Sequence, residues 1–384
     1  MRKPSLCSNE AGRLAMKRPW VAFMLILALM MAGNMSLFSR DAQQQKSGEK
    51  TSSLLVLPVV FYTPETKWAG GVGGIYAFRP EASGVRSRPS SIYFSAIYTQ
   101  LKQFQLELNP ELYLKNEEYI LTVKSLLEEY PNKFFGIGNN VPESMEENYT
   151  SRSVSFDVSA QKKIFPGQKI YAGLKYRFEN FKLTEVERGR SLANPETVGS
   201  EGGVISGLGF IISWDTRDNI FSPWRGSYWQ VQTYFNQPFV GSDYSFSNIK
   251  ADLRKYVSLF SGHVLAVQGL MDCVSGRIPF HKLSKLGGQN IMRGYYTGRY
   301  RDKLLVALQA EYRLPVWGRL GAVGFAGLGD VADKLAHVRF GNLKYSIGAG
   351  LRFMLNKTER TQLRLDFGWG KGTSGMYFTA GEAF

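Results

Sequence analysis

The chain has 384 residues and a formal net charge of +15, with 44% hydrophobic residues, 14% aromatic residues and 40 Gly. Residues 1–40 hold six Lys or Arg against one Glu, which is +5, and the remaining +10 is spread along the chain instead of clustered, which excludes a nucleic-acid partner. High aromatic and glycine content at moderate hydrophobicity suits a membrane barrel, apolar outside and polar inside.

Met16-Lys-Arg-Pro opens a basic start, and Val21 to Gly33 is an apolar run. That run falls short of the about 20 residues a spanning helix needs. Residues 1–40 therefore read as a secretory signal peptide cut between Ala32 and Ala42, with translation starting at Met16. Cys7 precedes the run, where a lipid-modified cysteine would follow it. The mature chain keeps only Cys273, so it can form no internal disulfide. Residues 41–52 are polar and read as a short periplasmic stub.

No later apolar run approaches the length of a spanning helix, so a membrane-embedded mature chain must be a closed barrel. From Ser53 onward apolar and polar residues alternate with a period of two. Phe104, Leu106, Leu108, Leu112 and Leu114 oppose Gln103, Gln105, Glu107, Asn109 and Glu111. Leu363, Leu365, Phe367 and Trp369 oppose Gln362, Arg364 and Asp366. The charged face must see water and the apolar face must see lipid. The expectation is an all-β transmembrane antiparallel barrel over 53–384, of about sixteen strands, a number typical of such barrels. Its first strand is 53–62, containing Pro58, and its last is 375–384, carrying Tyr377, Phe378 and Phe384. Glu382 shares parity with Phe378 and Phe384 and interrupts that apolar face. Short turns such as 116–118 contrast with long connections at 131–149, 183–205 and 276–302.

Four segments stand out. Gly287 to Arg301 is rich in Gly, Arg and Tyr, with Arg293, Gly294 and Tyr295 at its centre. Trp214 to Gly226 contains Asp215, Arg217, Asp218, Asn219, Pro223 and Gly226. Glu311-Tyr-Arg-Leu-Pro315 places Glu311 and Arg313 on one parity, and Gly324 to Val331 includes Asp330. Together they resemble the BamA/TamA-like surface-antigen barrels, the outer-membrane assembly-factor superfamily, without its N-terminal periplasmic repeats.

The resemblance implies that the long loop folds back into the lumen and that its Arg-Gly-aromatic tip docks on the inner wall. A guanidinium suits that task because it stays charged and makes paired hydrogen bonds with carboxylates. The family's partner aspartate falls at Gly327 here, so Arg293 must pair elsewhere, with Glu311 the first choice and Asp330 the second. By parity Arg313 also faces the lumen, as do Asp215 and Arg217 of the strand–turn motif.

The resemblance further implies a protein of the cell outer membrane that helps insert or translocate outer-membrane proteins or lipids. Its partners would be outer-membrane lipids, client barrel proteins and subunits of an assembly machine. Function would lie at a weak seam where the first and last strands meet. A passive, porin-like diffusion channel is the alternative. His263, His281 and His337 lack neighbouring ligands at zinc spacing, and no Gly-x-Ser-x-Gly elbow or phosphate-binding loop occurs, so no enzyme, metal or cofactor is expected.

Overall fold

The computed structural model describes residues 52–63, 67–79 and 88–384. The leader (1–40), Cys7 and the stub up to residue 51 lie outside the described residues. Eleven strands come first: β1 Ser52–Thr63, β2 Lys67–Phe78, β3 Ser90–Thr99, β4 Phe104–Leu114, β5 Tyr119–Phe134, β6 Glu147–Lys163, β7 Ile170–Val186, β8 Gly203–Asp215, β9 Gly226–Asn236, β10 Phe246–Phe260 and β11 His263–Gly276. Two short strands, β12 Ser284–Leu286 and β13 Tyr300–Asp302, lie in the long connection. The last five are β14 Leu304–Trp317, β15 Leu320–Ala332, β16 Lys344–Asn356, β17 Thr361–Gly370 and β18 Thr373–Ala380. All except β12 and β13 form one 16-stranded sheet in chain order. The two short strands pair with each other, an element the alternation did not disclose.

The alternation sets each strand's two faces, and the burial is inverted relative to a soluble core. In β8, Leu208, Phe210 and Ile212 are 51–60% exposed, while Ile211, Ser213 and Asp215 on the opposite face are buried. In β16, Tyr345, Ile347 and Leu351 are exposed and Ser346 and Arg352 are buried. Apolar surface of this extent on alternate positions is stable only against lipid.

Most connections at one end are short, 115–118, 164–169, 261–262, 318–319 and 357–360, with 216–225 longer. This end also holds Ser52 and Ala380, the outer limits of the sheet, and is called the terminal end below. The longest connections, 135–146, 187–202 and 277–303, lie at the other end, beside short turns at 100–103 and 371–372. Side-chain contacts between remote strands show that the sheet is rolled up. Just past β2, Arg79 meets Glu359 in the β16–β17 turn at 2.8 Å. Asp218 in the β8–β9 turn meets Arg360 of that same turn at 2.7 Å. Between β1 and β18 there is no strand pairing among the described residues.

The last strand differs from the expectation. It stops at Ala380, and Gly381, with φ of +86°, turns the chain inward. Phe384 is therefore not an outward aromatic on the strand. It is buried with Ala383 against Tyr256 and Ala266. Glu382 does not interrupt an apolar face either, because it has left the strand to meet Arg352 and Arg313. Tyr377 and Phe378 do lie in β18, opposite Asp366 and Leu365. Tyr377 therefore faces inward with Asp366, and Phe378 has the parity of Leu365.

Candidate functional site

The connection 277–303 folds into the lumen. Pairing of β12 with β13 gives it a neck, and Leu286, Met292, Tyr295 and Tyr300 pack with Leu270, Leu305, Ala307 and Val331 of the wall. Above the neck the chain must turn sharply, and Gly287 has φ of +107°. A Cβ there would stand 2.2 Å from the Tyr296 carbonyl oxygen, so only glycine fits. The tip is Met292-Arg293-Gly294-Tyr295. Met292 has φ of +52° and is fully buried, so packing holds a conformation that a non-glycine residue rarely adopts.

Arg293 is 1% exposed. One terminal nitrogen donates to Glu311 on β14 and the other to Asp366 on β17, and both carboxylates are fully buried. The guanidinium carbon also lies 3.5 Å from the centroid of the Phe325 ring on β15. The tip thus touches three strands at once. Glu311 is held in turn by Arg313, with bonds of 3.0 and 2.8 Å. Asp366 accepts from Arg352 at 2.5 Å, and Arg352 reaches Glu382 at 2.8 Å. Arg364 stands 3.6 Å from Asp366. Four guanidinium groups therefore surround three carboxylates. Buried ions of one sign are tolerable only when paired and hydrogen-bonded, which is what this network supplies.

Backbone fit completes the docking. Gly294 has φ of +110°, and a Cβ on it would come within 2.7 Å of the Trp369 backbone. Gly368, on β17, would likewise drive a Cβ to 2.6 Å from the Arg293 carbonyl carbon. The Gly294 N–H donates to the Tyr377 hydroxyl on β18 at 2.9 Å, and Thr373 donates to the Gly294 carbonyl at 3.0 Å. The Tyr295 hydroxyl accepts from the Lys371 N–H at 2.8 Å. The loop is thus fastened to β17 and β18, the strands at one side of the seam.

Asp330 does not meet Arg293. Though fully buried, it accepts from Asn139 at 3.0 Å and from the Val331 N–H at 2.9 Å. The partner the sequence reading passed over is Asp366. Its signal was its inward parity, but nothing in the sequence placed β17 beside the tip. Position 327 is glycine for a steric reason: a Cβ there would lie 3.1 Å from Met292 Sδ and 3.2 Å from Gln309 Cβ. Met292 occupies the space an aspartate would need.

The strand–turn motif sits at the terminal end. Asp215 accepts from Arg217 at 3.0 and 2.9 Å and also pairs with Arg88. Arg88 bonds Glu117 at 3.0 Å. Asp218 caps the Trp224 N–H at 3.0 Å, and Asn219 accepts from the Phe221 and Ser222 N–H groups at 2.8 Å each. These short side-chain-to-backbone bonds shape the turn. Pro223 is buried within it, and Gly226, with φ of +111°, would place a Cβ 2.3 Å from the Thr216 carbonyl oxygen. The turn crosses to the far wall, where Asn219 donates to the Glu359 carbonyl at 3.1 Å. Pro58 lies in β1 opposite Val72, on the outward face.

Among solved structures the chain is similar to BamA from Haemophilus ducreyi lacking POTRA domains 1-3, at 14% identity and a TM-score of 0.55, covering 86% of this chain and 69% of that one. It is also similar to CdiB from Acinetobacter baumannii (13%, TM-score 0.55) and CdiB from Escherichia coli (8%, TM-score 0.57). These matches cover 87% and 88% of this chain but 60% and 63% of theirs, so it spans about three fifths of the CdiB chains. Likeness at such identities concerns the fold. No curated protein matches the chain. The Omp85 superfamily domain, however, matches residues 89–384, which takes in the lumenal loop, the arginine network and every strand from β3 onward. By that match the chain belongs to the Omp85 superfamily.

Proposed function

We propose that this outer-membrane barrel assists the insertion or translocation of outer-membrane proteins or lipids, as a subunit of an assembly machine, after a signal peptide has directed it across the inner membrane. The observation that carries the reading is the unpaired seam. β1 and β18 are the two edges of a sheet whose other neighbours are all laddered. An unpaired edge exposes a row of N–H and C=O groups that a client strand can extend. Inside the barrel, Arg293, Gly294 and Tyr295 fasten the loop to β17 and β18. The loop therefore braces one edge while leaving the other free. The work is templating, with no covalent chemistry.

The test is reconstitution. Proteoliposomes containing the barrel should accelerate insertion of a urea-unfolded outer-membrane barrel protein over empty liposomes of the same lipid. Equal rates would reject the proposal. A polar cavity of about 340 Å3 remains in the lumen, lined by Lys175, Asp252 and Gln268 among others, and it favours a passive channel as the second reading. Large steady currents through the intact protein in a planar bilayer would support that reading, and the docked loop argues for small ones.

A further inference from the structure

The seam contains a second cavity, of about 470 Å3, within the size range of small-molecule sites. One wall is the inward face of the first strands: Leu55, Leu57 and Val59 of β1 and Ile75 of β2. Elsewhere this inward parity carries charge, as in Glu107, Lys124 and Asp157. Meanwhile Leu54, Val56 and Val60, on the outward face of β1, are exposed. β1 is therefore apolar on both faces, which is the pattern of a strand covered on both sides. The outer face has lipid. Opposite the inner face stands Phe378 of β18, whose parity is outward.

One polar group at this cavity is incomplete. Arg364 lines it and is 2% exposed. Its Nε donates to the Thr379 hydroxyl at 2.9 Å and its Nη2 to the side-chain Oδ1 of Asn290 at 3.3 Å. Its Nη1 is buried with no hydrogen-bond partner among the described residues. Leaving a charged donor buried and unmet is expensive, so an acceptor from outside the chain would be held there.

We infer that this seam cavity binds an anionic phospholipid, its acyl chain lying between β1 and Phe378 and its phosphate accepting from Arg364 Nη1. The route in is the unpaired β1–β18 edge, which faces the bilayer. Arg364 is three residues from the start of β17 and so lies towards the terminal end, which selects lipid from the leaflet on that side. The site goes beyond client assembly and stands whether or not clients are templated. A fatty-acid carboxylate offers the same acceptor chemistry to a guanidinium, so the test separates the two sources.

The full-length protein is placed in nanodiscs doped with phosphatidylglycerol bearing a photoreactive acyl chain, and crosslinked peptides are mapped by mass spectrometry. Crosslinks are expected on residues 55–59 and on the β18 peptide. Arg364→Gln should reduce them about tenfold, as expected for loss of one charge-assisted hydrogen bond. Gly73→Leu is the second variant. A Cβ at Gly73 meets nothing closer than 3.8 Å, so the barrel accepts it while the side chain fills the cavity. It should abolish the crosslinks while leaving the heat-modifiable gel shift of the folded barrel intact. Photoreactive phosphatidylcholine and a photoreactive fatty acid, at equal membrane concentration, should each label about tenfold less than phosphatidylglycerol. Undiminished labelling in folded Gly73→Leu would overturn the site. Equal or stronger labelling by phosphatidylcholine or the fatty acid would overturn its assignment to an anionic phospholipid. None of these outcomes depends on the client-insertion assay, so the two claims fail separately.

Discussion

Replacing Arg293 with alanine tests the docked loop most sharply. The substitution removes one donor from each of two fully buried carboxylates, Glu311 and Asp366. Breaking a buried ion pair by deleting one partner costs about 3–5 kcal/mol. Two features place this case near the lower end. Glu311 keeps Arg313 and Asp366 keeps Arg352, so neither carboxylate is left bare. The remaining three guanidinium groups also match three carboxylates. The loss is then chiefly of hydrogen bonds and of the stack on Phe325, about 3 kcal/mol. Urea unfolding in detergent micelles measures the stability, and limited proteolysis of the folded barrel measures loop release. A loop held by about 3 kcal/mol less should open on the order of a hundred times more often, and cleavage within 287–299 should rise accordingly. A stability change below about 1 kcal/mol with unchanged cleavage would refute the reasoning, because it would mean that the arginine is not the fastening.

Three further outcomes follow from the same geometry. Gly327→Asp, which restores the family's aspartate, should destabilise the barrel by about 1–3 kcal/mol in urea unfolding, since its side chain meets Met292 and Gln309. Tyr377→Phe removes the acceptor for the Gly294 N–H and the donor to the Tyr295 carbonyl, and should cost about 1–2 kcal/mol, with a smaller rise in cleavage than Arg293→Ala. His281, in the connection after β11, is pushed down to about 4 by burial, so it is neutral when docked and protonates below about 6.5 when released. The released state then binds more protons, and stability should fall as pH drops from about 6.5 towards 4, by up to about 3 kcal/mol. Unfolding midpoints at pH 7 and pH 5 should differ more in the wild type than in His281→Gln.

Period-two patterning made the barrel legible, because a wall between lipid and a polar lumen demands alternation at each position. It could not tell where alternation ends. The tail 381–384 continues the parity of β18, yet Gly381 turns it inward, and the local sequence contains no further sign of that turn. The loop tip was readable as Arg293-Gly294-Tyr295, and Glu311 could be picked by parity on the strand that follows the loop. Asp366 could not be picked, because the contact depends on how a sixteen-stranded sheet rolls, which brings β17 against a loop that precedes β14. Asp330 shares Glu311's character but lies where the 135–146 connection arrives, and Asn139 takes it. The cavity at the seam was hidden for the same reason: its walls come from opposite ends of the chain.

The central claim is that function lies where β1 and β18 fail to pair. Its direct measurement uses cysteines placed pairwise on residues 55–60 and 377–380, with Cys273 replaced by serine, in the reconstituted insertion assay. Closing the seam with a disulfide should abolish the acceleration of client insertion, and a reductant should restore it. Insertion that proceeds equally fast through the crosslinked barrel would contradict the account.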